Sequence, residues 1–119
     1  MIAFFKSRIK SFGYAVNGLK EFFTSQTNAW IEIVASIVVV FAGNYFDISA
    51  NEWLAIVFCI GLVFVAEIIN TSIEYLCNLV SLDFNPLIGK IKDLAAAAVL
   101  IASIISFIVA IVVFWKYIS

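Results

Sequence analysis

The sequence is poor in histidine, proline, cysteine and charge. It contains no histidine, one proline and two cysteines among 119 residues, and charged residues make up only 13%. It has no G-x-x-x-x-G-K-[ST] phosphate loop, no protein-kinase glycine loop and no G-x-G-x-x-G pattern. Its seven lysines and arginines form no basic patch large enough for nucleic acid. Nucleic acid is therefore excluded as a partner, and any nucleotide chemistry must use an uncommon type of site.

The two cysteines do not predict a disulfide. Cys59 and Cys77 lie within one apolar segment, eighteen residues apart. A straight helix keeps two such positions far apart, so they cannot meet within one chain. Both are interpreted as small apolar packing residues.

The residues present in excess are hydrophobic, at 65% of the chain with a mean hydropathy of +1.13. This composition is far from that of an average soluble domain and predicts a membrane protein. A chain of 119 residues allows about three spans of roughly 20 residues and one surface segment. We therefore expect an all-α membrane protein with a single domain.

Residues 1–27 predict an amphipathic helix that lies on the membrane surface. Apolar side chains recur at steps of three and four, and basic or polar residues lie between them. The apolar positions are Phe5, Ile9, Phe12, Val16, Leu19 and Phe23.

Three apolar segments follow and predict membrane spans at residues 29–46, 53–80 and 94–115. The proline, glycine and asparagine between Ser81 and Asp93 predict a loop, and Asp93 suits the N-cap of the third span. Four basic residues precede the first span, and Lys90 and Lys92 lie between the second and third, whereas the connection after the first span has none. The positive-inside rule therefore places the end of the second span at the cytoplasmic side.

The last third of the second span carries a stripe of polar side chains. At about 100° per residue its members share one narrow helix face. They are Glu67, Asn70, Thr71, Glu74 and Asn78. An ionisable group at bilayer depth is a functional-site hypothesis by default. Because a lone copy has little interior, other helices must hide the stripe from lipid, which predicts a homo-oligomer.

The two carboxylates of the stripe predict two separate roles. A rise of about 1.5 Å per residue places Glu67 about 10 Å from Glu74 along the axis, too far for both to ligate one metal ion. Carboxylates, an amide and nearby lysines at a cytoplasmic interface suit Mg²⁺-nucleotide chemistry directed at a lipid headgroup. The residues alone leave two alternatives open: proton or ion translocation, and simple pairing of the carboxylates with Lys90 and Lys92.

Three motifs resemble one known family, the small prokaryotic integral-membrane lipid kinases that phosphorylate diacylglycerol or undecaprenol. The motifs are Gly13-Tyr14-Ala15-x-x-Gly18-Leu19, Glu67-x-x-Asn70-Thr71-x-Ile73-Glu74 and Lys92-Asp93-x-x-x-Ala97-Ala98-Val99. The resemblance covers nearly the whole chain, with family-like spacing between the motifs. It implies a homotrimeric helical bundle in the bacterial inner membrane, with helices from neighbouring chains closing each cytoplasmic site.

The resemblance also implies roles for individual residues. Glu67 would be the base towards the lipid hydroxyl, Asn70 would support the site, and Glu74 would ligate the Mg²⁺ of ATP. Glu32 would lie near the lipid. The nucleotide would contact a larger set of residues, namely Arg8, Tyr14, Asp83, Phe84, Asn85, Lys92 and Asp93.

The chain departs from the family pattern at several positions. Gln26 stands where many members have a second metal-binding Glu, and its neutral amide is a weaker Mg²⁺ ligand. Asn78 replaces a common Asp, and Trp30 replaces a common Arg. Arg8 lies one residue from Ser7, where an ungapped match would place the family's arginine.

The sequence thus predicts a lipid kinase that transfers the γ-phosphoryl group of MgATP to a membrane lipid alcohol, either diacylglycerol or undecaprenol. A hydrophobic pocket discriminates weakly between their tails, so the substrate stays open. The alternative is a catalytically lapsed homologue or a non-enzymatic oligomer that conducts ions or protons, and Gln26 favours the lapsed version.

Overall fold

The computed structural model describes all 119 residues, and four α-helices account for nearly all of them. They are α1 (Ile2–Ser25), α2 (Thr27–Phe46), α3 (Ala50–Val80) and α4 (Pro86–Ile118). The last three have 20, 31 and 33 residues and are long and apolar enough to cross a membrane. The predicted all-α class and the three span-length helices are confirmed. Cys59 and Cys77 are both free and buried in α3, as expected.

A single residue, Gln26, separates α1 from α2. Its backbone is extended, with φ −113° and ψ 116°, and its N–H donates to the Phe22 carbonyl oxygen. Trp30 Nε1 donates to the Phe23 carbonyl oxygen at 2.7 Å and so ties the two helices together across the corner. The first helix therefore ends before residue 27, and the next begins at Thr27 instead of residue 29.

The N-terminus of α3 is fixed by a capping box. Ser49 Oγ accepts a hydrogen bond from the Glu52 N–H at 3.2 Å, and Glu52 Oε1 accepts one from the Ser49 N–H at 2.9 Å. These bonds satisfy two backbone donors that a helix N-terminus otherwise leaves unpaired. The helix consequently begins at Ala50, ahead of the predicted residue 53.

The prediction of a loop through Asp93 is wrong, because α4 begins at Pro86. Asn85 is the N-cap, and its Oδ1 accepts a hydrogen bond from the Leu87 N–H at 2.9 Å. Pro86 occupies the first helical position, where its missing N–H costs nothing and its fixed φ suits the helix. Asp93 therefore lies within the helix and not at its N-cap.

The hydrophobic core lies at the end of the molecule where α2 leads into α3 and α4 ends. Its buried members are Ile48, Ile56, Val113 and Phe114. Only 14 of 119 residues are buried, so most apolar side chains of the three long helices are exposed on a single chain. Such surfaces must be covered by lipid or by other helices.

Gly43 offers a test of this core. A Cβ built on Gly43 would lie 2.6 Å from Trp53 Cη2 and 3.1 Å from Ile48 Cδ1, whereas one on Gly61 meets nothing within 4 Å. We expect Gly43→Ala to lower the free energy of unfolding by about 1–3 kcal/mol, as overpacking does. Gly61→Ala should leave it unchanged or slightly raised. Denaturant unfolding in detergent micelles measures both, and equal stability of the two variants would contradict this packing.

Candidate active site

The polar stripe of α3 meets the corner between α1 and α2 in a small cleft of about 40 Å³. The lining residues are Phe22, Gln26, Asn28, Glu67, Asn70, Thr71 and Val99. Pockets that enclose a whole ligand usually have about 300–1,000 Å³. Within one chain, the cleft therefore has room for a hydroxyl group, an ion or a water molecule but not for a nucleotide.

Glu67 and Thr71 are buried polar residues of α3, each 8% exposed. The Thr71 hydroxyl is satisfied, because it donates to the Glu67 carbonyl oxygen at 3.0 Å. Two other buried oxygens, Glu67 Oε2 and Asn70 Oδ1, have no hydrogen-bond partner. An unsatisfied buried polar atom costs about 1–3 kcal/mol, more when it is charged. The cleft thus holds two acceptor oxygens that await a donor or a cation.

Glu74 lies one turn beyond Asn70 and outside the cleft. Its Oε1 accepts a long hydrogen bond from Asn70 Nδ2 at 3.4 Å. Asn70 therefore contacts Glu74 and also lines the cleft with Glu67. Gln26 lines the cleft with Glu67 and Asn70 rather than with Glu74. No group of three or more acidic or cysteine side chains is close enough within the chain to hold a metal ion.

Lys92 reaches the polar stripe from α4. Its Nζ donates to Asn78 Oδ1 at 3.0 Å, which places the ammonium group one turn from Glu74 along α3. Because Asn78 is neutral, this hydrogen bond leaves the lysine charge uncompensated. Asp93 is adjacent in sequence and is exposed.

The remaining residues expected near the nucleotide do not line the cleft. Tyr14 is 71% exposed on α1, and the Arg8 guanidinium lies 5.3 Å from the Phe4 ring centroid on the same helix. Asp83 and Phe84 are exposed in the connection before α4. Asn85, next to them, is the N-cap of α4. A nucleotide role for these five residues and for Asp93 stays a prediction.

Glu32 lines a second cavity, of about 100 Å³, among α2, α3 and α4. It is half-buried, and most of the cavity wall is apolar apart from Ser36 and Ser106. Glu32 lies one turn after Asn28 on α2, and Val63 of this cavity lies one turn before Glu67 on α3. The second cavity is therefore next to the cleft along both helices.

Two residues at the corner were not predicted from the sequence. Asn28 lines the cleft, although it had no assigned role. Tyr75 connects α3 to α1, because its hydroxyl donates to Glu21 Oε1 at 2.7 Å and lies 3.1 Å from Ser25 Oγ. For Asn28 the sequence did carry a signal, because it lies two residues after Gln26, at the break between the two helices. No local signal identifies Tyr75, because its hydrogen bonds join residues fifty or more positions apart.

Comparison with known proteins identifies the family. The model of the family described as prokaryotic diacylglycerol kinase matches residues 13–114, which is most of the chain. The chain belongs to this family. The resemblance predicted from its three motifs is confirmed.

Curated relatives of two kinds match nearly the full length. The diacylglycerol kinase of Escherichia coli K12 is 29% identical over 109 residues, which cover 92% of this chain and 89% of the relative. The undecaprenol kinase of Bacillus subtilis 168 is 33% identical over 105 residues, which cover 88% of this chain and 85% of the relative. Together with three span-length apolar helices, these relatives indicate a multi-pass membrane protein.

One departure from the family pattern has a clear structural role in this family member. Trp30 stands where the family commonly has an arginine, and it closes the α1–α2 corner by its hydrogen bond to the Phe23 carbonyl oxygen. Its indole also meets the Phe23 ring edge-on, with centroids 6.3 Å apart. The corner that carries Gln26 and Asn28 is therefore held by the indole and not by a charged side chain.

The contact between Tyr75 and α1 predicts how firmly this corner is held. Tyr75→Phe removes the hydrogen bonds to Glu21 and Ser25, so the end of α1 should open more often. We expect faster amide hydrogen exchange in residues 19–26, with little change in α3. Tyr45→Phe is the matched control, because Tyr45 is exposed near the far end of α2 and its hydroxyl makes no hydrogen bond. Unchanged exchange in Tyr75→Phe would show that other contacts hold α1 in place.

Proposed function

We propose that this protein is a lipid kinase that transfers the γ-phosphoryl group of ATP to the hydroxyl of a membrane lipid. The proposal rests on one observation: the Glu67 carboxylate is buried in a polar cleft among largely apolar helices, and its Oε2 has no hydrogen-bond partner. Family membership supports the reaction type, and the names of the relatives supply the candidate substrates, diacylglycerol and undecaprenol.

Glu67 acts as the general base in this proposal. Its Oε2 accepts the proton of the lipid hydroxyl, whose oxygen then bonds to the γ-phosphorus while the bond from that phosphorus to the bridging oxygen breaks and ADP leaves. A buried carboxylate without a hydrogen-bond partner suits this role, because it keeps an acceptor site free for the substrate. The cleft has room for the hydroxyl group of a lipid whose tails remain in the membrane.

The residues around Asn70 fit the Mg²⁺ ion that accompanies ATP. Mg²⁺ prefers oxygen ligands and is usually held by one or two carboxylates together with phosphate oxygens and water. Glu74 supplies a half-buried carboxylate just outside the cleft, and within the cleft Asn70 Oδ1 is an unpaired oxygen and Gln26 adds a side-chain amide. Mg²⁺ bound to these groups would offset the negative charge of the phosphates.

The nucleotide and the lipid approach from opposite sides in this proposal. Lys92 is held at the polar stripe by Asn78, and its free charge suits phosphate oxygens. Asp93 and the exposed groups of α1 and of the connection before α4 complete the nucleotide contacts, as the family resemblance implies. Glu32 faces the adjacent, mainly apolar cavity and would lie near the lipid. This arrangement requires α1 on the cytoplasmic surface of the bacterial inner membrane.

A homotrimer would complete the site. A groove of about 590 Å³ between α3 and α4 is lined only by hydrophobic residues. The small side chains Ala95, Ala98 and Ala102 form part of its floor and let another helix approach closely. We infer that a neighbouring copy packs there and helps to enclose the nucleotide, for which one chain has no room.

An assay of ATP consumption in mixed micelles, with each lipid supplied in turn, tests the proposed function. Glu67→Gln should lower turnover at least about 100-fold, because general-base assistance is typically worth that much, while nucleotide binding stays nearly intact. Asp47→Asn is the matched control, because it neutralises an exposed carboxylate at the C-terminal end of α2 that makes no side-chain hydrogen bond or ion pair. More than about a tenth of the turnover remaining in Glu67→Gln would refute the base assignment. A wild type inactive on both lipids would favour the lapsed alternative.

Gln26→Glu tests whether Gln26 belongs to the metal shell. A carboxylate is a stronger Mg²⁺ ligand than an amide, so the variant should need less Mg²⁺ for half-maximal activity. Asn44→Asp adds the same charge near the other end of α2 and should not change the Mg²⁺ titration. If Gln26→Glu also leaves the titration unchanged, then Gln26 is structural and Glu74 holds the metal with phosphate oxygens and water.

A further inference from the structure

The end of α1 supplies one wall of the cleft that holds Glu67. Phe22 is buried and lines the cleft, and Gln26 lines it from the break that follows the helix. Glu67 and Thr71 contribute the wall on α3. The shape of the cleft therefore depends on where the last turn of α1 lies relative to α3.

Apolar packing alone does not fix this position, because a cavity of about 150 Å³ separates parts of α1 and α3. Phe22 and Thr71 lie in the walls of both this α1–α3 cavity and the cleft. A Cβ built on Gly18, which also lines the cavity, would meet nothing within 4 Å. A helix that crosses such a void has few dispersion contacts to hold it in place.

One contact that holds α1 near the cavity is aromatic. The Phe64 ring of α3 meets the Phe22 and Phe23 rings edge-on, with centroids 6.5 and 6.1 Å apart. Edge-on ring contacts occur over a range of centroid distances, so they tolerate small displacements of one helix along the other. These rings anchor α1 without fixing its exact position.

The other contact is directional and comes from Tyr75. Its hydroxyl donates to Glu21 Oε1 at 2.7 Å and lies 3.1 Å from Ser25 Oγ, and these are the only hydrogen bonds between α1 and α3. A hydrogen bond to a carboxylate is stronger than one between neutral groups and depends steeply on geometry. Tyr75 lies about 16 Å beyond Phe64 along the helix axis, and Glu67 lies between them. The last turn of α1 is therefore pinned on the side of the cleft opposite the aromatic contact.

Building on the proposed function, we propose that Tyr75 is a positioning residue for phosphoryl transfer. Its hydroxyl holds the last turn of α1 through Glu21 and so sets where Phe22 and Gln26 lie relative to Glu67. Tyr75 does not line the cleft, and it acts through the cleft wall and not on the lipid or the nucleotide. Reacting groups must be held about 3–3.5 Å apart for efficient transfer, so a small displacement of this wall is costly.

Tyr75→Phe tests this role in the ATP-consumption assay with the full chain in mixed micelles. The variant keeps the ring and removes the hydroxyl, so kcat/KM for the lipid should fall at least about fivefold, which is the effect of one net hydrogen bond. Tyr45→Phe is the matched control and should keep the wild-type value, because the Tyr45 hydroxyl makes no hydrogen bond. Circular dichroism checks that each variant keeps its helical content.

Variants of Glu21 separate the hydrogen bond from other effects of the tyrosine. Glu21→Gln keeps an oxygen that accepts from the Tyr75 hydroxyl and should stay close to the wild type, whereas Glu21→Ala removes the acceptor and should lower kcat/KM. Tyr75→Phe combined with Glu21→Ala should be no worse than Tyr75→Phe alone, because the same hydrogen bond is lost only once.

Gln26 gives a readout that needs no substrate. It is the only glutamine in the chain, so protein labelled with nitrogen-15 in the glutamine side-chain amide gives a single pair of amide cross-peaks in an NMR spectrum. If the last turn of α1 loosens, the surroundings of Gln26 change. Tyr75→Phe and Glu21→Ala should therefore shift or broaden this pair, and Tyr45→Phe should leave it unchanged.

The outcomes distinguish this inference from the function on which it rests. An active wild type whose kcat/KM is unchanged by Tyr75→Phe overturns the role of Tyr75 alone, and so do Gln26 cross-peaks that change in neither Tyr75→Phe nor Glu21→Ala. Equal losses in Glu21→Gln and Glu21→Ala would show that the charge of Glu21 acts instead of the hydrogen bond, and would overturn it as well. A wild type that transfers phosphate to neither lipid overturns the proposed function, and the positioning role with it.

Discussion

The register between α3 and α4 is the constraint on which the rest of the structure depends. Hydrogen bonds join the two helices at three levels: Lys92 Nζ to Asn78 at one end, Ser106 Oγ to the Cys59 carbonyl oxygen in the middle, and the Tyr117 hydroxyl to Glu52 at the other end. In a membrane, apolar contacts alone do little to fix the position of one helix along another, because lipid tails are equally apolar. The polar contacts therefore set which part of α4 faces the stripe on α3.

This register leaves Glu67 buried without a partner of its own. The carboxylate faces Val99 of α4 and the corner between α1 and α2, and no basic side chain reaches it. A fold optimised for stability alone would pair or remove such a group, because an uncompensated buried polar atom is costly. Local rules of this kind are broken mainly at functional sites, where the surrounding structure absorbs the cost. Here the stabilising elements are the hydrophobic core at the far end and the capping box of α3.

Features that repeat along the chain could be predicted from the sequence, whereas features that depend on single contacts could not. The long apolar runs and the one-sided stripe predicted the helices and brought Glu67, Asn70 and Thr71 to one face, because helical periodicity alone determines both. The starts of α3 and α4 differed because Ser49-x-x-Glu52 and Asn85-Pro86 are capping signals that outweigh a loop-like composition. The α1–α2 corner was not predicted, since it depends on side-chain contacts: those of Trp30 with Phe23, and the hydrogen bonds from Tyr75 to the end of α1. Asn28 lines the cleft because this corner places the first turn of α2 beside α3.

The cleft around Glu67 contains neutral amides, which changes the charge and the hydrogen-bonding groups that a ligand meets. A second carboxylate at position 26 would stand across the cleft from Glu67, so the two like charges would repel each other and any incoming triphosphate unless a cation lay between them. Gln26 and Asn28 do not impose this repulsion, and their N–H groups attract acceptor oxygens that a carboxylate would reject. The cleft therefore carries one carboxylate instead of two, and its amides can donate as well as accept hydrogen bonds.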